Sequence, residues 1–186
     1  MSAPDSDGRQ RRRRRALLAA AAAGAVLLGI AAVAVRTTPE PHSAPRPAPN
    51  FNLLELGHPG ERVALAAYAG RPVIINFFAS WCPPCQRETP LLASFYRAHH
   101  GRVLMIGVDS GDESAAALRF VASNRVTYPV GVDAYPAPAS MSYGIIGLPQ
   151  TFMLNARHQI VKHVSGDITQ RELDAWAGSL AGPARH

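Results

Sequence analysis

The chain is 186 residues long, enough for one domain of about 100–200 residues plus accessory segments. Of its nineteen basic residues, seven fall in residues 1–39 against two acids (net +5), while residues 40–186 carry twelve against eleven (net +1). The high pI, near 10.0, therefore belongs to the N-terminal tail. A nucleic-acid partner needs a basic face on the folded domain, and near-neutrality argues against one.

Residues 1–15 read as a basic cytoplasmic tail. "RQRRRRRALLAAAAAGAVLLGIAAVAV" is an Arg cluster followed by twenty uncharged residues, Ala16 to Val35. At about 1.5 Å per residue they span roughly 30 Å, the thickness of a bilayer core. Arginines ahead of the span stay cytoplasmic, which places everything after it beyond the membrane. Ten of the twenty are Ala, and "AVA" at 32–34 resembles a small-residue cleavage site. A retained transmembrane anchor at 16–35 is favoured over a cleaved signal, because the span is long for a signal h-region. No Cys follows it, which excludes a lipoprotein anchor. The expected location is the plasma membrane, single-pass with the C-terminal domain extracytoplasmic, or secretion if the segment is cleaved. Residues 36–49 hold five prolines, a density that sustains neither helix nor inner strand, and read as a semi-extended linker. The folded domain is expected at 50–181.

Within it, "ERVALAAYAG" reads as a short strand running into a turn ended by Gly70. "RPVIINFFAS" is a continuous apolar, β-rich run, the pattern of a strand buried on both faces. "PPCQRETPLLASFYRAHHG" has helical spacing at Leu91, Leu92, Phe95 and Tyr96, with prolines tolerated in the first turn and Gly101 as the stop. Pro90 lies inside this pattern and predicts a kink. "RVLMIGVD" is a second buried strand. "SGDESAAALRFVASNRV" places Ser110 and Glu113 at capping-box spacing ahead of a helix. "YPVGVD" is a short strand, "TFMLNARHQIVKHVSG" two antiparallel strands with a turn at Asn155–His158, and "TQRELDAWAGSLAG" a closing helix. Strands alternating with helices, without internal repeat, imply an α/β layered fold.

Both cysteines lie in "FFASWCPPCQRETP", after a buried strand and at a helix start. Residues i and i+3 of a first turn bring Cα atoms to the roughly 5–6 Å that a disulfide prefers. Cys82 faces unpaired amides and the positive end of the helix dipole, which favour the reactive thiolate. Cys85 sits deeper and can resolve a mixed disulfide formed at Cys82. Pro83 and Pro84 lack N–H groups, so only the Cys85 amide remains to stabilise the thiolate. A less depressed Cys82 pKa than in strongly oxidising relatives, and a preference for donating electrons, follow. Zinc needs about four ligands, and the nearest candidates, His99 and His100, are adjacent and near a helix C-terminus. Haem attachment needs CxxCH, but Gln86 follows Cys85. A merely structural disulfide would close a loop too short to restrain much chain. No metal site is expected.

"NFFASWCPPCQRETP" resembles the membrane-anchored thioredoxin-like proteins of the TlpA/ResA/CcmG type, extracytoplasmic disulfide reductases of bacteria. The likeness runs through "APNFNLLELG", "GRPVIINF", "VLMIGVD", "YPVGVD", "YGIIGLPQTFMLN" and "SGDI", about 130 residues. It implies a thioredoxin-like fold, a central mixed sheet flanked by helices, with an inserted βα segment at roughly 103–131. Carried over, Cys82 is the attacking and Cys85 the resolving thiol, Trp81 covers the active-site surface, and Pro149 is a cis-proline facing the disulfide. A cis bond there leaves the Leu148 backbone free to pair with an extended substrate strand. Glu88 matches the acid after the family's CxxC, though it could be a solvated helix residue. Asp112 falls near the family's glutamate by the thiols, though it could be a helix N-terminal acid.

Two departures stand out. Gln150 replaces the usual Thr, which bears on substrate contacts. Asn76 stands where thioredoxin proper has a buried Asp, as is usual in this branch, so Cys85 must lose its proton to another base, with Glu88, Asp112 or water as candidates. A peroxidase of the related peroxiredoxin type wants Thr or Ser three before its Cys, whereas Ala79 is there. The expected function is reduction of disulfides in exported proteins. The resemblance suggests apocytochrome c as substrate and a DsbD/CcdA-type membrane thiol transporter as electron donor, with no cofactor beyond the cysteine pair. A copper metallochaperone using the CxxC thiolates and a disulfide-forming oxidase are the alternatives.

Overall fold

The computed structural model describes residues 45–99 and 101–180, which belong to one unit. The basic tail, the 16–35 segment, most of the linker and His100 lie outside the described residues. Among the described residues no helix is long and apolar enough to cross a membrane.

In chain order the elements are β1 (Arg46–Pro47), β2 (Asn52–Glu55), β3 (Arg62–Ala64), a 3-10 turn (Leu65–Tyr68), β4 (Val73–Phe78), α1 (Pro83–Ala98), β5 (Leu104–Ser110), α2 (Ser114–Ser123), β6 (Val130–Asp133), α3 (Pro138–Tyr143), β7 (Gln150–Leu154), β8 (Gln159–Ser165) and α4 (Gln170–Leu180). The strands form one mixed sheet in the order β1-β8-β7-β4-β5-β6-β2-β3. β4 is parallel to β5 and antiparallel to β7, and all six of its residues are buried, as an uninterrupted apolar run requires.

Strand alternation divides the core in two. Ile74 and Phe78 join Leu92 and Phe95 of α1, Ala117 of α2 and Leu173 and Trp176 of α4. Val73, Ile75 and Phe77 join Ala139 and Tyr143 of α3 and the apolar residues of β2 and β3 on the other face. The fold is thioredoxin-like, and the expected 103–131 segment holds β5, α2 and the start of β6.

One local expectation changes, and one element carries no local sequence signal. Ser110 does not cap α2, because it is still the last residue of β5, in register with Asp133, and its hydroxyl pairs with Ser140 Oγ at 2.9 Å. Glu113 is itself the N-cap, accepting the Ala115 and Ala116 amides at 3.1 and 3.0 Å. Pro90 lies within α1, which runs through it to Ala98. The element without a sequence signal is α3, too short for a periodic pattern: the buried Asp133 carboxylate holds its start by accepting the Ala139 and Ser140 amides at 3.0 and 2.7 Å.

β2 and β3 are held at the sheet edge by a close approach. A Cβ on Gly131 would lie 2.9 Å from Leu53 Cβ, an atom that cannot swing aside, while Glu55 pairs with Gly131 on the same ladder. Gly131→Ala should therefore destabilise the domain by roughly 1–3 kcal/mol through overpacking. Urea denaturation would show this as a lowered midpoint, and an unchanged midpoint would mean the edge hairpin yields freely.

Candidate active site

The chain leaves β4 at Phe78, turns through Ala79–Trp81, and enters α1 with Cys82 as the N-cap. The turn closes by the Cys82 amide donating to Ala79 O at 3.2 Å. Cys82 and Cys85 form a disulfide with Cα atoms 5.2 Å apart. Pro83 and Pro84 fill the first helical positions, and the Cys85 amide donates to Cys82 Sγ at 3.2 Å. Cys82 is 3% exposed and Cys85 fully buried, whereas Trp81 is 62% exposed. The indole of Trp81, next to Cys82 in the chain, is thus a surface group.

Ser80 is the fixed point of this turn. Its amide and hydroxyl both donate to the Asp112 carboxylate, the hydroxyl at 3.0 Å, and its carbonyl accepts Gln86 Nε2–H at 2.8 Å. Asp112 therefore grips the loop that carries the cysteines, while also accepting the Glu113 amide at 2.9 Å as a helix-start acid would.

Glu88 is buried one turn beyond Cys85, a spacing that puts side chains about 5–6 Å apart at Cβ. One of its oxygens accepts from Asn76 Nδ2 at 2.8 Å, the other from the Ile168 amide at 2.9 Å. Burial pushes Glu88 up to about 7 despite both hydrogen bonds, and the nearby Asp167 adds to the rise. The solvated-helix alternative for Glu88 is excluded by its burial. Asn76 spends its second N–H on Thr151 Oγ1 at 3.0 Å.

Leu148–Pro149 is cis, as is Tyr135–Pro136. The Pro149 carbonyl accepts the Gly166 amide at 3.0 Å, while the Leu148 backbone makes no hydrogen bond among the described residues. Gln150 is buried and turned inward: Nε2 donates to Gly147 O and Ser165 Oγ, both at 3.0 Å, and Oε1 meets His163 Nε2. Its influence on a substrate would run through the loop it braces.

Sequence reasoning passed over Ser80, Gln86 and the buried Asp109. Gln86 and Ser80 carry no motif, and Asp109 reads as the polar end of an apolar strand. His99, considered and rejected as a zinc ligand, caps α1, donating Nδ1–H to Phe95 O at 3.0 Å. Glu55, His58 and Glu61 bring ligand atoms within 4.8 Å of one another on the β2–β3 hairpin, with Glu55 half-buried and the other two exposed.

The Redoxin family model matches residues 44–176. The thiol-disulfide oxidoreductase ResA of Bacillus subtilis is 33% identical over 124 residues, covering 66% of this chain and 68% of that protein. The crystal structure of StoA from Bacillus subtilis aligns with a TM-score of 0.58 at 30% identity, over 70% of this chain and 98% of that one. A DsbF homologue from Corynebacterium diphtheriae shares the fold, with a TM-score of 0.64 at 21% identity over 73% of this chain and 87% of its own. Since the family match runs from the first strand into the closing helix, the chain belongs to the Redoxin family.

Proposed function

We propose that this thiol–disulfide oxidoreductase works outside the cytoplasm and reduces disulfides in exported proteins. The observation that carries the reading is the cysteine pair itself. Cys82 Sγ caps α1 and receives the Cys85 amide, so the helix start stabilises the thiolate that reduction creates there.

In the reduced enzyme the Cys82 thiolate attacks one sulfur of a substrate disulfide, and the other substrate sulfur leaves as a thiolate that takes up a proton. Cys85 then gives its proton to a base and attacks Cys82 Sγ, which releases the second substrate sulfur and re-forms the Cys82–Cys85 bond. Two electrons pass to the substrate. A dithiol donor in the membrane, of the DsbD/CcdA type, must return them, because the exported compartment is oxidising. Glu88 is the base favoured for Cys85: it lies one turn away and its raised pKa lets it hold or release a proton near neutrality. Asn76 orients it. Pro149 faces the disulfide, and the unpaired Leu148 backbone receives the substrate as an added strand. Trp81 and the 99% exposed Ile146 present apolar surface to solvent, which suits a protein partner. The resemblance to the TlpA/ResA/CcmG type points to apocytochrome c among the substrates, and the 16–35 segment would hold the domain at the membrane.

Cys85→Ala should accumulate mixed disulfides through Cys82, identifiable by non-reducing electrophoresis and mass spectrometry. If Cys82→Ala traps the same partners equally well, the attacking residue is misassigned. Reduction of insulin disulfides, set against Cu(I) titration of the dithiol form, separates a reductase from a copper carrier.

Glu88 also predicts a pH effect on the oxidised protein. Its folded pKa lies above the unfolded value of 4.5, so between about 4.5 and 7 the folded state holds a proton that the unfolded state has lost. Stability therefore falls as pH rises through that window and then levels off. Urea midpoints at pH 5 and pH 8 should differ less in Glu88→Gln than in the parent, and an equal difference would mean that Glu88 ionises normally.

A further inference from the structure

We propose that Asp109 is a positioning residue for the cysteine pair: it shares a proton with Asp112, keeps that carboxylate on Ser80, and so fixes the turn that delivers Cys82.

Asp109 lies near the end of β5, opposite Phe78 of β4 and Val132 of β6. It is 1% exposed, and neither carboxyl oxygen receives a hydrogen bond from an N–H or O–H donor among the described residues. A buried ionised carboxylate without donors is strongly disfavoured. The groups around it make ionisation harder. From the loop before α2 it meets Asp112 and from β6 Asp133, its partner on β4 is the apolar Phe78, and among the described residues no basic side chain offsets the acids. Asp133 is already engaged by two α3 amides. Asp112 is engaged by Ser80 and Glu113. A neutral Asp109 resolves the conflict, since its O–H can donate to Asp112 and replace repulsion with a hydrogen bond. Burial first, then the charge and hydrogen bond of Asp112, then Asp133, push Asp109 up to about 7.

The consequence passes along the chain of contacts. With the proton present, Asp112 stays on the Ser80 amide and hydroxyl, and Trp81 and Cys82 follow in a fixed turn. With the proton lost to solvent, two facing carboxylates repel and Asp112 loosens its grip on Ser80. Asp109 acts through Asp112 and touches neither sulfur nor substrate. Only the functional consequence rests on the reading of Cys82 as attacking thiol; the movement of the turn does not.

Trp81, directly after Ser80, reports on the turn. The experiment uses the full chain, oxidised and in detergent, with Trp176→Phe to leave one indole; Trp176 Nε1 makes no hydrogen bond among the described residues, so none of these is lost. Between pH 5.5 and 8.5 the Trp81 emission should show one transition with a midpoint near 7. Asp109→Asn, whose amide donates to Asp112 at every pH, should abolish it, and Asp112→Asn should abolish it independently should the first variant fold poorly. Glu88→Gln, which removes the other carboxyl titrating in this range, should retain it. A flat parent titration, a transition surviving either aspartate change, or one lost with Glu88→Gln overturns the proposal. Absence of insulin reductase activity alongside the expected fluorescence pattern would instead count against the functional reading alone.

Discussion

β4 is hydrogen-bonded along both edges and buried on both faces, so the chain cannot turn anywhere within it. It must leave at Phe78, and the residues that follow are obliged to satisfy their backbone groups at the rim of the sheet. Ala79, Ser80 and Cys82 do so: Cys82 closes back on Ala79, and Ser80 is gripped by Asp112 from one side and Gln86 from the other. The start of α1 is thereby set within a narrow range, and with it the sulfur at its N-cap. The reactive end inherits its precision from a strand that performs no chemistry.

The same constraint explains why acids collect behind the disulfide. Phe78 pairs with Asp109 and Asn76 with Gly107, so Asn76 and Asp109 emerge on the face that α1 covers, where Glu88 descends to meet Asn76. Two carboxyls on one covered face both have raised pKa values near 7, but for different reasons. Glu88 accepts two hydrogen bonds that would favour its charged form, and burial overcomes them. Asp109 accepts none and faces like charges in addition to being buried. Glu88 is therefore suited to exchanging a proton with Cys85, whereas Asp109 holds its proton within a carboxyl pair.

Legibility in the sequence followed the range of the physics. β4, β5 and the β7–β8 hairpin were readable because unbroken apolar runs and a four-residue turn are local signals. The cysteine pair was readable because its spacing matches one helical turn. Glu88 could be named but not weighed, since its burial comes from Ile168 and Asn76, which are remote in sequence. Ser110 misled because capping-box spacing says nothing about whether the first residue has left its strand. Ser80 and Asp112 lie 32 positions apart, and α3 is six residues held by an acid outside it. Gln150 stood out as a substitution, yet its side chain turns inward to His163 and Ser165, a choice made by the strand register of β7 and β8.

The prolines between the cysteines bear on the direction of electron flow. A dithiol is a strong oxidant when its reduced form is stabilised, and stabilisation at a helix start comes from amides pointing at the thiolate. Here Pro83 and Pro84 occupy the first two positions and carry no N–H, leaving the Cys85 amide as the contact to Cys82 Sγ. The dipole of a 16-residue helix still acts on that sulfur, so the thiolate is favoured, but by fewer donors than an unsubstituted first turn would supply. A reduced form held by one amide gives up its electrons more readily than one held by three. That ordering of the two oxidation states is what the proposed reductase needs if it is to pass electrons onward, and in that proposal the two prolines favour it by lacking an N–H.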